Sequence, residues 1–332
     1  MKKPALSDLN LSLLSLLQFL GAILVIAIHS QKVFDHHALH FIQKSIFGRM
    51  VVPFFMVSAS FFIRRNQHQT LTYFKSQIRQ YLFWSALYLP YFVLYLRSIQ
   101  LPLTSYPLAF IIGLTYTGIG YQLWYIPAFL TGLFLVNVSL KKLGFFWTSC
   151  LALLLYLLGC SETYSAFLTE TSVGTVFTSY MDIFFTTRNG LFYTPVFILI
   201  GYALCDNYYS SFFQKQVGLK LLGSFMLFSL EGWLIFHHQG IDKNFFLGLI
   251  PFTAFLVAFS LSSNLFKTRN LGALKYYANY YYFLHLIPVE ICLFLLKDSG
   301  LEPALKGQLT FLISLLTCHL LAHFLVKHQK KT

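Results

Sequence analysis

The chain has 332 residues, 57% of them hydrophobic, 19% aromatic and 11% charged, with a formal net charge of +13. With 37 Phe and 21 Tyr against so few charges, neither one large nor two ordinary water-soluble domains could hide this surface. The excess of cations does not indicate nucleic acid, because no basic segment exceeds a few residues; loops beside anionic lipid head groups account for it.

Taken in chain order, the apolar runs predict an all-α polytopic membrane bundle of about ten transmembrane helices. They fall at roughly residues 11–30, 46–63, 80–96, 122–140, 143–160, 189–205, 219–236, 244–264, 278–296 and 307–326. No charged side chain occurs between Asp8 and Lys32, between Lys243 and Lys267, or between Lys306 and Lys327. The first run lacks a small-residue cleavage site and is long enough to stay in the bilayer, so it reads as an anchor.

The charge-free stretch Ser98–Leu140 could hold two spans, or one span and an interfacial segment. Its first half is broken by Pro107, Gly113, Gly118 and Gly120 and makes a poor spanning helix. Ten spans with a cytoplasmic N-terminus put 16 of the 24 Lys+Arg in inner loops, from Lys2 and Lys3 through Arg64, Arg65, Lys75 and Arg79 to Lys327, Lys330 and Lys331. An eleventh span would invert that asymmetry, so ten spans with both termini cytoplasmic are expected. Residues 1–332 read as a single membrane domain with no soluble appended domain. The five cysteines have no paired spacing and serve as small apolar filler.

Ionisable groups at membrane depth are the informative ones. His29 closes the first span, and Gln18 lies eleven positions earlier, within about 20° of the same helical face and roughly 16 Å lower. The plain alternative for His29 is an interfacial histidine bonded to a carbonyl. Arg49 precedes a charge-free stretch, Met50–Ile63, of only about 21 Å, so either the helix begins earlier or the span is short. Arg188 occupies the matching place before the sixth span. Two arginines and a histidine meeting at the outer side would make an electropositive pocket for an anion or a developing oxyanion; snorkelling to lipid phosphate is the alternative. Lys75 and Arg79, four apart on one face, could cradle a phosphate or simply obey the positive-inside rule. Glu231, His285, Glu290 and the pair His319/His323 are the other costly groups. That pair has metal-ligand spacing but no third ligand, so no metal is expected.

These residues assemble into a known pattern. Gln18-Phe-Leu-Gly-Ala-Ile-Leu-Val-Ile-Ala-Ile-His29 resembles the first-helix signature of the acyltransferase family 3 membrane proteins, in which Arg or Lys precedes His by eleven positions. Arg49-Met-Val-Val-Pro-Phe-Phe-Met-Val-Ser-Ala-Ser resembles the second-helix Arg-x-x-x-Pro-Phe-Phe with its following Ser-Gly, and Phe74-Lys-Ser-Gln-Ile-Arg79 the Arg-x-x-Arg segment. Leu123-Trp-Tyr-Ile-Pro-Ala128, Arg188-Asn-Gly-Leu-Phe192 and Tyr282-Phe-Leu-His285 resemble later landmarks. Together they cover nearly the whole chain, and Arg188-Asn-Gly-Leu-Phe192 with Glu231 resembles the branch that includes membrane portions of serine/alanine racemases.

The resemblance implies an integral-membrane O-acyltransferase of a bacterial plasma membrane. It would move an acyl group, usually acetyl, from cytoplasmic acyl-CoA to a hydroxyl of a cell-surface carbohydrate or other cell-envelope molecule. His29 would be the catalytic histidine, with Arg49 and Arg188 stabilising the oxyanion or orienting an acidic acceptor. Gln18, Lys75 and Arg79 would contact the acyl-CoA cosubstrate, and Ser58, Trp124, Asn189, Glu231 and His285 would bind substrate or support the site. A homo-oligomer and lipid contacts are compatible with it. The chain departs from the pattern where Gln18 replaces the basic residue, where Ser58-Ala59 replaces Ser-Gly, and where Ser76 replaces the first Arg, with Lys75 adjacent. A transporter or permeation pathway for a small polar solute is the alternative class.

Overall fold

The structure, a computed structural model, describes residues 3–329; Lys2, Lys330 and Lys331, counted above among the inner cations, lie outside the described residues. Helices run in the order α1 (Leu11–His29), α2 (Gly48–Arg65), α3 (Thr70–Ser98), α4 (Tyr106–Ile112), α5 (Tyr125–Gly159), α6 (Ser172–Phe184), α7 (Thr194–Asp206), α8 (Val217–His237), α9 (Leu249–Ser262), α10 (Leu274–Leu284), α11 (Leu286–Leu295) and α12 (Pro303–Gln329). No strand occurs among the described residues.

Helices occupy all ten places read from the apolar runs, but fewer are both long and apolar enough to span; α3, at 29 residues, has the length and not the apolarity. Among the described residues, five segments are long and apolar enough to cross a bilayer: Leu11–His29, His37–Arg65, Tyr121–Glu162, Val217–His237 and Pro303–His328. The pair α10 and α11, bent by 45°, makes a sixth if taken as one span. At 13 and 14 residues, α7 and α9 fall short of the length a straight crossing requires.

Two expected spans, 122–140 and 143–160, lie in the single run α5. It is broken at Gly144, whose φ of 72° and ψ of 178° suit glycine and few other residues. One small apolar cavity is lined by Leu135, Val136 and Ser139 before the break and by Thr148, Leu151 and Ala152 after it, so the two segments fold back on each other. The doubtful half of Ser98–Leu140 forms short pieces, a 3-10 turn at Leu103–Ser105, the seven-residue α4 and a π-turn at Gly113–Thr117. The second span does start early. A short helix from His37 and a π-helical stretch, Ile42–Phe47, lead into Gly48, so Arg49 lies inside the helical run.

The chain divides into two compact units. The first, Met1–Phe55, Asn207–His238 and Phe246–Thr332, is organised around α1, which packs on α9, α10 and α12. Asn10 starts that helix. Its side chain accepts from the Leu13 N–H and donates to the carbonyls of Ser263 and Leu265, tying the N-cap to the end of α9. At the other end Gly48 meets Ile28, where a Cβ would approach within 2.6 Å, and the Gln43 amide donates to the Ala27 carbonyl.

The second unit is Met56–Asp206 with Gln239–Phe245. Its centre is α5 against α7, with Tyr156, Tyr193, Phe197 and Phe245 fully or almost fully buried and in ring contact. Small residues permit close approach here, where a Cβ on Gly132 of α5 would lie 2.9 Å from Cβ of Thr194 on α7, and likewise between α7 and α2. A Cβ on Gly201 would lie 2.5 Å from the Val57 carbonyl oxygen. Arg64 and Asp206 form a bidentate ion pair at 2.7–2.9 Å in this unit.

Candidate functional site

In the first unit the centre of interest is a pair of imidazoles. His29, the last residue of α1, stacks on His285 with ring centroids 5.2 Å apart and 24° between planes. His285 sits at the bend between α10 and α11. The cause of the bend is three residues on, where Pro288 has no N–H to give to the carbonyl of Leu284. His285 is fully buried, and its Nδ1 lies 3.0 and 2.9 Å from the carbonyl oxygens of Tyr281 and Tyr282. Both partners can only accept, so Nδ1 carries the proton and the neutral ring keeps its lone pair on Nε2. That Nε2 is buried and has no hydrogen-bond partner among the described residues. An imidazole with a fixed tautomer and an unused basic nitrogen, stacked on a second imidazole, can accept a proton from a bound hydroxyl.

Arg49 follows Gly48, which packs on Ile28, so Arg49 is half-buried at the same end of α1 as His29. Gln18 is half-buried on the same helix, and its neighbour Phe19 contacts the rings of Tyr277 and Tyr281. Glu231 bonds the start of a helix. Its two carboxylate oxygens accept from the N–H groups of Leu247 and Gly248, both at 2.6 Å, where they cap the start of α9.

In the second unit Arg188 lies over the indole of Trp124, with Cζ 4.5 Å from the ring centroid, and donates to Oδ1 of Asn244 at 3.3 Å. The loop that carries it, residues 186–189, hangs on Glu162. This buried carboxylate accepts from the Thr187 N–H at 2.8 Å and from the hydroxyls of Thr186 and Thr187. The Thr186 hydroxyl oxygen in turn accepts from the Arg188 N–H at 2.9 Å. Asn189 closes the other side: Oδ1 accepts from the N–H groups of Leu191 and Phe192, and its amide donates to the hydroxyls of Tyr116 and Tyr180. Burial and the hydrogen bond with Tyr116 push the Tyr180 phenol up, so it stays neutral. Ser58 is buried in the same unit, and Lys75 and Arg79 are exposed in the first turns of α3.

Sequence reasoning therefore named the ends of each arrangement and missed what holds them. Glu162 was not singled out, although one acid directly after a long apolar run is a signal of the same kind as Glu231. His319 and His323 bond tyrosine hydroxyls, Tyr281 and Tyr277 respectively, at 2.8 and 3.0 Å. No group of three His, Cys, Asp or Glu suited to a metal occurs among the described residues.

Among curated proteins the chain is similar to a serine/alanine racemase of Enterococcus gallinarum, 29% identical over 239 residues, which covers 65% of this chain and 31% of that protein. It is also similar to an amino-acid racemase of Enterococcus faecalis, 25% identical over 237 residues, covering 68% and 32%. The aligned part is thus about a third of these relatives' length. No solved structure matches. The sequence model described as "Acyltransferase domain" matches residues 12–323, nearly the whole of the chain and both units, and with it the His29, Arg49, Arg188 and His285 segments. The chain belongs to the acyltransferase family 3.

Proposed function

We propose that this protein is an integral-membrane O-acyltransferase. Acyl-CoA is the donor, acetyl the group moved, and the acceptor is a hydroxyl of a glycan or related molecule of a bacterial cell envelope. The observation that carries this reading is the His29–His285 stack, in which the buried His285 has its tautomer fixed by two carbonyls and its Nε2 left unbonded beside the His29 ring. An imidazole at this place can take the hydroxyl proton as the oxygen attacks the thioester carbonyl, or can carry the acyl group itself.

Arg49, at the same end of α1, is assigned to the developing oxyanion. Arg188, held over Trp124, is assigned to orienting the acceptor. Gln18 is assigned to the pantetheine chain, where an amide still donates hydrogen bonds without charge. Lys75 and Arg79 are exposed four residues apart and suit the donor's phosphates.

The test is His29→Ala in the native host, followed by mass analysis of surface glycans. Loss of an acyl mass shift is the expected result. An unchanged glycan with altered uptake of a small polar solute would replace the transferase by a permeation pathway.

A further inference from the structure

In the first unit, the end of α1 that carries His29 is flanked by basic side chains that the acyl-transfer reading leaves unused. Lys32 follows His29 by three residues, and Gly307 of α12 packs against its backbone. The short helix His37–Phe41 and the π-helical stretch Ile42–Phe47 then carry His37, His40 and Lys44 at steps of three and four, which put them on one face. His40 lies within electrostatic reach of Lys44, Lys32 and His37, so these segments present one field. The end of α8 joins it. His37 contacts the ring of Phe236 at 5.1 Å, and Phe236 that of His237 at 5.2 Å. Nδ1 of His237 lies 2.9 Å from the Trp233 carbonyl oxygen, which can only accept, so a further proton would enter at Nε2. His36, His37, Lys44, His237 and His238 are exposed.

Acids do not offset this charge. From Gln31 to Arg49 the only one is Asp35, which lies 3.7 Å from Lys32, and none occurs from Gly232 to His238. At the start of α12, Glu302 and Lys306 cancel. Nor do the basic groups converge on a point: no three side chains suited to one metal ion occur among the described residues. They spread along about 10 Å of helix from His37 to Lys44, with Lys32 and His237 beside it. A small anion would touch one or two of them, whereas a chain that repeats its negative charge would meet them all. Because four exposed imidazoles stand beside two lysines, the positive charge of the patch grows as pH falls through the range in which histidine titrates.

We propose that this patch docks an anionic glycan chain, holds it more tightly as the histidines gain protons, and so brings the acceptor hydroxyl to His29 beside it. This rests on the acyl-transfer reading and names the acceptor class, a glycan bearing carboxylates or phosphates. The position of the patch favours acceptor over lipid head group. Lys32 is three residues from His29, and the Gln43 amide bonds the Ala27 carbonyl, so the basic segment is tied to the last turn of α1.

The full chain in uncharged detergent at low ionic strength is tested with polygalacturonate, a polycarboxylate glycan, and with neutral dextran of equal length. Polygalacturonate should bind about tenfold more tightly at about pH 5.5 than at about pH 7.5, a range over which its carboxylates stay ionised, and dextran should not bind. The triple variant His36→Gln, His37→Gln, His237→Gln should lose most of that pH response. Lys32→Gln with Lys44→Gln should weaken binding at both pH values. Thermal midpoints of both variants check that they fold.

Dextran bound as tightly as polygalacturonate, or a pH response unchanged in the folded triple variant, would overturn the docking site and leave transfer by His29 standing. Displacement of polygalacturonate by anionic phospholipid at an equal concentration of charge would make the patch a lipid contact and overturn it as well. His29→Ala should still bind polygalacturonate; full acyl transfer by that variant would instead remove the transfer reading, and with it the delivery to His29.

Discussion

Arg188 is held over Trp124 by a loop whose anchor is not an arginine partner but the buried carboxylate of Glu162, reached through Thr186 and Thr187. The guanidinium is thus positioned through its own backbone. Charge, stack and loop can be separated by substitution.

Glu162→Ala removes the acceptor for the Thr187 N–H and two hydroxyls in a buried place. A buried donor left without a partner costs about 1–3 kcal/mol, so a lower thermal midpoint in detergent is expected. Glu162→Gln keeps the volume and part of the bonding and should fall between the two. A midpoint unchanged in the Ala variant would show that the loop does not depend on this carboxylate.

Arg188→Lys retains charge but loses the planar group that stacks on indole and reaches Asn244. Transfer to the acceptor should fall by about tenfold, which corresponds to losing a stack and one charged hydrogen bond, with stability little altered. Equal kcat/KM for Lys and Arg would reduce the residue to a point charge.

Glu231→Ala should act on stability rather than on acceptor recognition. The carboxylate satisfies the Leu247 and Gly248 N–H groups at the start of α9, and losing a helix-terminus acceptor costs about 1–2 kcal/mol. Glu231→Gln keeps one acceptor oxygen and should recover part of the loss in a thermal melt. A catalytic defect at full stability would assign the residue to the site instead.

Gly201→Ala tests the close approach within the second unit. The added Cβ would meet the Val57 carbonyl oxygen at 2.5 Å, and backbone has no rotamer with which to move away. Overpacking of this kind costs about 1–3 kcal/mol, seen as a lower midpoint or reduced membrane yield. Gly144→Ala would be destabilising for another reason, the positive φ, since nothing lies within 4 Å of its Cβ position.

The Tyr180 phenol gives a pH test outside the spanning segments. Burial and the Tyr116 hydrogen bond raise its pKa above the unfolded value. The neutral form is favoured in the fold, so its contribution is complete below about pH 10 and is lost as pH rises further. Tyr180→Phe should flatten that alkaline loss in a melt followed from pH 8 upward. An identical alkaline profile in the two proteins would remove Tyr180 from the network around Asn189.

Composition and apolar runs were enough to exclude a soluble fold and to place helices at ten positions, because burial in lipid is a property each segment carries in its own residues. The resemblance of short motifs, ordered along the chain, pointed to the family to which the chain belongs and, through it, to His29, Arg49 and Arg188. The count of helices that reach spanning length, the turn at Gly144 and the bend at His285 needed backbone geometry. The pairings needed more. His29 with His285, Glu162 with Thr186 and Thr187, and Tyr281 with His319 join residues far apart in sequence. Hydrogen bonds depend on distances of a few tenths of an ångström, and only the packed helices determine those. For that reason the bonds of Glu231 to the start of α9 appear only in the fold, while Glu162 passed unnoticed in the sequence and organises the loop of Arg188.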